Sequence, residues 1–437
     1  MINMAVYGLN KQRWFQVISA YSGWLMDGYT TIAYALVAVT VSTVFFPSTI
    51  GIYGLIATFG GLAVEEIARP VGSVALGNFL GDRIGRKNML TITIVGFSVF
   101  AASKGLLPSY KSIGILAPVL LYIILFIEGT FAGAEYGGGT TLSMEDIPAA
   151  KRAPIGAFVQ SGYGTGFFIV SFVFAALSSY YGKTEFAIIG WRVLFYTTII
   201  PGMLTLIIRY ITSETTVFDD MKKNKEVLRE PVVGLFKKGG KPLIFALIFT
   251  SGLLFINTVT FSFYPALLSI LNPAMSNTKV GTYNALINLV SLFGVWIGGI
   301  TALLIVGRKK SILVYSLIFI ILTYPIAFLA FRGGAINDLI AFSVQAFFEA
   351  MIFSTLPAFL AESFGKQFRT TEVGFAYNGG AVFGGFAISI VLFFSTFMHS
   401  LFAAWTLWLF LAELIMVSGM LLSAETFRHG APDRIAD

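Results

Sequence analysis

Apolar residues run along this chain in long blocks separated by short polar breaks. Twelve blocks predict helices near 14–38, 50–80, 88–107, 114–143, 155–180, 191–212, 243–271, 280–306, 311–331, 339–361, 372–396 and 402–423. Each has about the 20 residues a helix needs to cross a bilayer core. The longest polar break, 213–241, contains the mixed-charge stretch Asp219 to Glu230 and divides the helices into two sets of six. The expected organisation is a six-helix bundle over 1–212, a linker over 213–241 and a second six-helix bundle over 242–437 ending in a short tail. The predicted fold class is an all-α membrane protein of twelve transmembrane helices in two pseudo-symmetric six-helix bundles.

Composition agrees with that pattern. Of 437 residues, 56% are hydrophobic and only 12% charged, about half the charged share of a soluble chain. The 43 Phe are more apolar rings than one aqueous core can hide, so the lipid bilayer is the expected partner of much of this surface. A soluble enzyme, a disordered chain and a nucleic-acid binder are excluded on these grounds. The absence of Cys excludes disulfides and thiol catalysis, and two His, His399 and His429, are too few for a His-rich metal site. No cofactor or metal is expected. The residues before Arg13 are too polar for a cleaved signal peptide.

The net charge of +7 sharpens the topology. The N-terminus, the even-numbered loops and the C-terminal tail hold 21 of the 29 Lys and Arg. By the inside-positive bias both termini are expected in the cytoplasm, in a cell membrane. A short repeat marks the same loops. Gly81-Asp82-Arg83-Ile84-Gly85-Arg86-Lys87 follows the second helix of the first set, and Leu304-Ile305-Val306-Gly307-Arg308-Lys309-Lys310 the second helix of the second. Two six-helix halves related by such a repeat are a common architecture of secondary transporters.

Three stretches carry a family resemblance. The first is Arg69-Pro70-Val71-Gly72, Gly77 and the run Gly81 to Lys87. The second is Gly133-Ala134-Glu135-Tyr136-Gly137-Gly138, continuing to Glu145, Pro148, Arg152 and Gln160-Ser161-Gly162. The third is Glu362, Arg369, Tyr377-Asn378-Gly379-Gly380 and Phe383-Gly384-Gly385. Together they resemble the major facilitator superfamily over nearly the whole chain, and within it the proton-coupled organic-acid symporters, the metabolite:proton and sialate/lactate groups. The resemblance implies a cytoplasmic gate made of Gly77, Gly81, Asp82, Arg83, Gly85, Arg86, Glu145, Arg152, Glu362 and Arg369. Gly77 and Gly81 are expected to let helices approach closely, and Asp82 to accept hydrogen bonds from a facing helix N-terminus or Arg. The sequence departs from the family pattern in places. Leu304 and Ile305 stand opposite Asp82 and Arg83, which predicts an asymmetric gate. Leu125 stands where the superfamily has an Arg associated with proton coupling, Glu128 where relatives have Gln, and Thr30 where they often have Asp.

Ionisable groups at bilayer depth are costly and therefore functional candidates. Asp27 and Glu135 are the candidates for proton coupling; the alternative for each is a packing carboxyl paired to a neighbour. Arg69 reads either as a carboxylate-binding guanidinium or as a structural one neutralised by Glu65 and Glu66 at i−4 and i−3. Glu349 binds a proton or cation, or pairs with a basic group elsewhere. Lys104 is expected to snorkel to the interface. A substrate cavity between the halves is expected from Gln160, Tyr163, Asn257, Thr260, Tyr264, Asn284, Asn288, Gln345, Tyr377 and Asn378 as well as Arg69 and Glu349; Asn257, Thr260 and Tyr264 share one α-helical face.

The expected function is secondary active transport of a small solute, an organic acid by resemblance, through alternating access with protons as coupling ion. The protein is expected to work as a monomer and not to be an enzyme. The alternatives are transport of a sugar or inorganic phosphate, or a nutrient sensor without transport.

Overall fold

The computed structural model describes residues 9–77, 84–224, 240–366, 369–428 and 435, and these residues contain helices and connections with no strand. Nine segments are long and apolar enough to cross a membrane, ten with a first helix that bends by 60° between Lys11–Leu36 and Ala38–Phe45. One of the nine, Ala149–Ile211, is 63 residues long. It holds two spans, divided where Gly182 takes φ 65°. The remaining span, Ile52–Leu76, carries Glu65, Glu66 and Arg69 within one and a half turns.

The twelve spans are α1 (Lys11–Leu36, bent into Ala38–Phe45), α2 (Ile52–Leu76), α3 (Arg86–Leu106), α4 (Leu116–Met144), α5 (Arg152–Glu185) and α6 (Trp191–Tyr196 with Ile199–Ile211). They continue with α7 (Gly240–Ser262, extended by Tyr264–Leu271), α8 (Asn277–Ile305), α9 (Arg308–Phe331), α10 (Ala335–Ser363), α11 (Arg369–Met398) and α12 (Leu401–Leu422). Large apolar side chains such as Ile207, Ile321, Phe328 and Leu421 stand exposed on the outside, as lipid-facing positions must. The interiors are packed by Ile, Phe, Leu and Ala from several helices at once.

The halves α1–α6 and α7–α12 meet mainly along α5 with α8 and along α2 and α4 with α11. Small residues permit this approach. A Cβ at Gly137 of α4 would collide with the Thr370 carbonyl of α11, and one at Gly299 of α8 would collide with Ala157 of α5. Gly77 is different from expectation: a Cβ there would lie 3.6 Å from Thr371 Oγ1, an ordinary contact, so no close approach depends on it. Gly81, Asp82 and Arg83 lie outside the described residues.

Within the linker, Thr216–Lys223 forms a helix capped by the Thr215 side chain, with Phe218 and Met221 buried against the bundle. In α7 a π-helical turn, Thr258–Ser262, interrupts the α-helical register. This turn breaks the expected common face: Asn257 reaches the space between the halves, while Thr260 and Tyr264 turn into the C-terminal half.

Candidate functional site

At the end carrying the basic loops, two carboxylates organise matching clusters. Glu145 at the end of α4 pairs with Arg86 of its own half (3.3 Å) and with Arg369 of the other (3.1 Å), and accepts the Thr215 hydroxyl (2.7 Å). Glu362 at the end of α10 pairs with Arg308 of its own half (3.1 Å) and Arg152 of the other (3.4 Å), and accepts the Thr426 hydroxyl (2.8 Å). The likeness continues outward. Glu214 accepts the Lys87 amide and Glu425 the amides of Arg308, Lys309 and Lys310. Arg86 lies over the Phe218 ring and Arg308 over the Phe427 ring. Gly85 and Gly307, which open the two Gly-Arg-Lys turns, both have positive φ, 105° and 154°, where a side chain would be strained. Burial pushes the Glu214 carboxyl above its usual range, opposed by the Thr215 and Lys87 amides and by Arg86. The expected asymmetry rests on Asp82 and Arg83, outside the described residues; the described part is alike in both halves.

Above this end the halves enclose a cavity. Its larger chamber, about 40 Å³, is lined by Gln160, Tyr163, Asn257, Asn288 and Tyr377 among the expected residues, and by Ser161, Phe167, Phe261, Ser291, Leu292 and Phe353. A smaller chamber of about 20 Å³ adds Trp24, Thr31, Glu66 and Arg69 and shares Tyr163, Asn257 and Tyr377. Such volumes hold a few waters. The halves are closed on both sides of the cavity. Toward the basic end, Tyr136 stacks on Tyr377 at 3.6 Å and Asn378 donates to Ser73 Oγ and the Gly133 carbonyl at 2.7 Å each. Toward the opposite end, Phe59 meets Phe263 edge-on at 5.9 Å, Asn284 donates to Ser171 at 2.7 Å, and Ser389 donates to the Ile56 carbonyl at 3.1 Å.

Arg69 is the one cation lining this cavity among the described residues. Its guanidinium grips Asp27 through two bonds of 2.8 Å, reaches Glu65 at 2.8 Å and lies 3.3 Å from Glu66. Both expected partners at i−4 and i−3 are therefore present. The strongest geometry, the bidentate one, goes to Asp27 of another helix. Glu135 does not reach the cavity's charge cluster. It pairs with Arg209 of α6, which also donates to the Leu90 carbonyl, and it accepts the Thr93 hydroxyl. Lys104 does not snorkel: it is 1% exposed and bonds Glu128 at 2.8 Å. A carboxylate on the facing helix gives it a better partner than the interface would.

Several expected cavity residues serve elsewhere. Tyr264 donates to Gln345 Oε1 at 2.9 Å inside the C-terminal half, and Thr260 bonds carbonyls of its own helix. Asn284 and Asn378 join the halves rather than line the chambers. Glu349 sits behind Asn257, whose amide donates to it at 3.2 Å. Trp24 and Tyr136, the Arg209 partner of Glu135, and a buried carboxyl on α12, Glu413, were not singled out from the sequence. Arg209 and Glu413 each interrupt an apolar run, and that signal was available.

Twelve membrane spans in two six-helix halves, facing each other across a closed cavity of mixed polar and aromatic lining with ion pairs bridging one end, define the class: a secondary transporter, not an enzyme. The chain belongs to the Major Facilitator Superfamily, whose profile matches residues 26–388. It is similar to an inner membrane metabolite transport protein (YhjE) of Escherichia coli K12, 28% identical with 94% of each chain covered. It is similar to the shikimate transporter of the same organism, 26% identical over 94% of this chain and 92% of that one. A proline/betaine transporter of E. coli K12 is 28% identical over 84% of this chain and 75% of its own length. Among solved structures, a partially occluded inward-open form of the xylose transporter XylE from E. coli superposes with a TM-score of 0.74, covering 95% of this chain and 99% of that one at 17% identity, a likeness of fold.

Proposed function

We propose that this multi-pass membrane protein moves a small carboxylate-bearing metabolite by alternating access, with proton symport, across a cell membrane whose cytoplasmic face receives the basic end. The observation that carries this reading is the grip of Asp27 on Arg69 at the cavity wall. Three carboxylates, Asp27, Glu65 and Glu66, share one guanidinium. A substrate carboxylate gains Arg69 only as Asp27 releases it, and a proton on Asp27 removes the charge that holds the pair. Proton and anionic substrate then favour each other's binding, which is the linkage symport requires. The named substrates of the relatives support the class: shikimate, proline and betaine all carry a carboxylate.

Alternation follows from the gate clusters. Glu145–Arg369 and Arg152–Glu362 cross between the halves at the basic end and must separate for that end to open. The second reading, a sugar, is favoured by the amides of Gln160, Asn257 and Asn288 set among aromatic rings in the larger chamber.

The test is uptake into proteoliposomes under an imposed pH gradient, screened over shikimate, lactate, proline, betaine, xylose and inorganic phosphate. At least one carboxylate should accumulate, and only with the external side acid. Accumulation of xylose or phosphate alone, or uptake indifferent to the gradient, overturns the reading.

A further inference from the structure

Glu349 is fully buried at the middle of α10, and it differs from the carboxylates around Arg69. Among the described residues no Lys or Arg pairs with it. Its Oε1 accepts the Asn257 amide, and its Oε2 has no hydrogen-bond partner. The Thr260 hydroxyl stands close enough to interact with the carboxylate and also reaches the Ile256 and Asn257 carbonyls. The titratable side chains that act on it are Tyr264 of α7 and Glu413 of α12. The helices α8 and α9, also packed on α10, present it with none among the described residues. A buried carboxylate without a cation is costly as an anion and is relieved by a proton. Among the described residues the hydrogen bond from Asn257, which lines both chambers, links it to the cavity.

We propose that Glu349 is a proton-binding site of the C-terminal half, and that its proton, held on Oε2, frees the Asn257 amide to donate to an anionic group in the cavity. The chemistry is a single proton transfer. A proton from the aqueous side to which the cavity opens forms an O–H bond on Oε2, and the carboxylate becomes a neutral acid. While Glu349 is ionised, the bond from Asn257 to Oε1 is charge-assisted and about twice as strong as one to a neutral carbonyl. Protonation weakens that bond and leaves the amide able to turn toward a ligand. Glu349 is thus a positioning residue: it touches Asn257, and Asn257 touches the cavity. The role of the cavity as transport site is taken from the reading above, but the proton on Glu349 is observable without any substrate.

The experiment is pH-titrated infrared difference spectroscopy of the full chain in lipid nanodiscs, in H2O and D2O. A protonated carboxyl in an apolar setting shows a distinct acid carbonyl band. The unaltered protein should show such a band that exchanges in D2O and is lost as pH rises. Glu349→Gln should remove it, and Glu349→Asp should restore one that titrates at a different pH. Asp27→Asn should leave it, and Asn257→Ala should shift its position and its titration midpoint, because the bond to Oε1 is gone. A spectrum in which no acid band depends on residue 349, in either the Gln or the Asp variant, overturns the proposal. So does a Glu349 band untouched by Asn257→Ala. Failure of substrate uptake in the screen above would leave these bands in place and would count against the transport reading alone.

Discussion

In the N-terminal half, each carboxylate buried among the membrane spans meets a cation. Asp27, Glu65 and Glu66 share Arg69, Glu128 takes Lys104 and Glu135 takes Arg209. In the C-terminal half, Glu349 and Glu413 are buried among the spans as well, and neutral donors meet them: the Asn257 amide and the Thr323 hydroxyl. At the basic end the Arg and Thr partners of Glu145 and Glu362 match across the two halves. The two halves are thus alike at the basic end, where the proposed gate lies, and unlike in the membrane interior. A fixed cation in one half suits an anionic ligand, and a cation-free carboxyl in the other suits a proton.

The largest effect is expected from Arg69→Met. It strands three buried carboxylates, and losing one partner of a buried ion pair costs about 3–5 kcal/mol. Thermal unfolding in detergent should show a marked drop in Tm, and uptake should be abolished. An unchanged Tm with normal uptake would break the contrast between the halves. Next come Glu135→Gln and Arg209→Gln. Each alone should destabilise, and the double variant should be milder than their sum by about 2 kcal/mol, the coupling of residues in contact. Strict additivity would mean that the pair is not a unit. Smaller still, Glu145→Gln and Glu362→Gln should each favour opening of the basic end. In the naturally Cys-free chain, labelling of Ser291→Cys in the cavity by a reagent presented at that end should rise by about tenfold, equivalent to about 1.4 kcal/mol. Unequal responses would show that the two clusters are not equivalent. The smallest effect is expected from Glu413→Gln, under about 1 kcal/mol, since no cation is left unpaired. A loss as large as that of Arg69→Met would erase the difference on which the comparison rests.

Much of this was legible in the chain. Spans and their grouping follow from run length because the bilayer imposes one length scale, and the matched Gly-Arg-Lys turns do fold alike. The i−4 and i−3 partners of Arg69 were visible because helix spacing is local. Its bidentate partner Asp27 was not, since that pairing is set by how α1 and α2 each pack on α4. The same holds for Glu135 with Arg209 and Lys104 with Glu128, each joined by helix packing that no local pattern encodes. The cavity was half legible. Gln160, Tyr163, Asn257, Asn288 and Tyr377 line it, but Thr260 and Tyr264 do not, because the π turn at Thr258–Ser262 rotates the face that an unbroken 3.6-residue period projects. Asn284 and Asn378 read as polar groups in lipid either way, and only the assembled interface distinguishes a bridge between halves from a cavity wall.

The central claim, that a proton on Asp27 and a carboxylate substrate on Arg69 part the Asp27–Arg69 pair together, is tested most directly with Asp27→Asn in proteoliposomes loaded with whichever carboxylate the screen identifies. Asn at 27 holds the position permanently neutral. Exchange of labelled for unlabelled substrate at equal pH should continue near the parental rate, since exchange needs no change in protonation. Accumulation against a concentration gradient under an imposed pH gradient should be lost. Accumulation by Asp27→Asn at the parental rate would contradict the account.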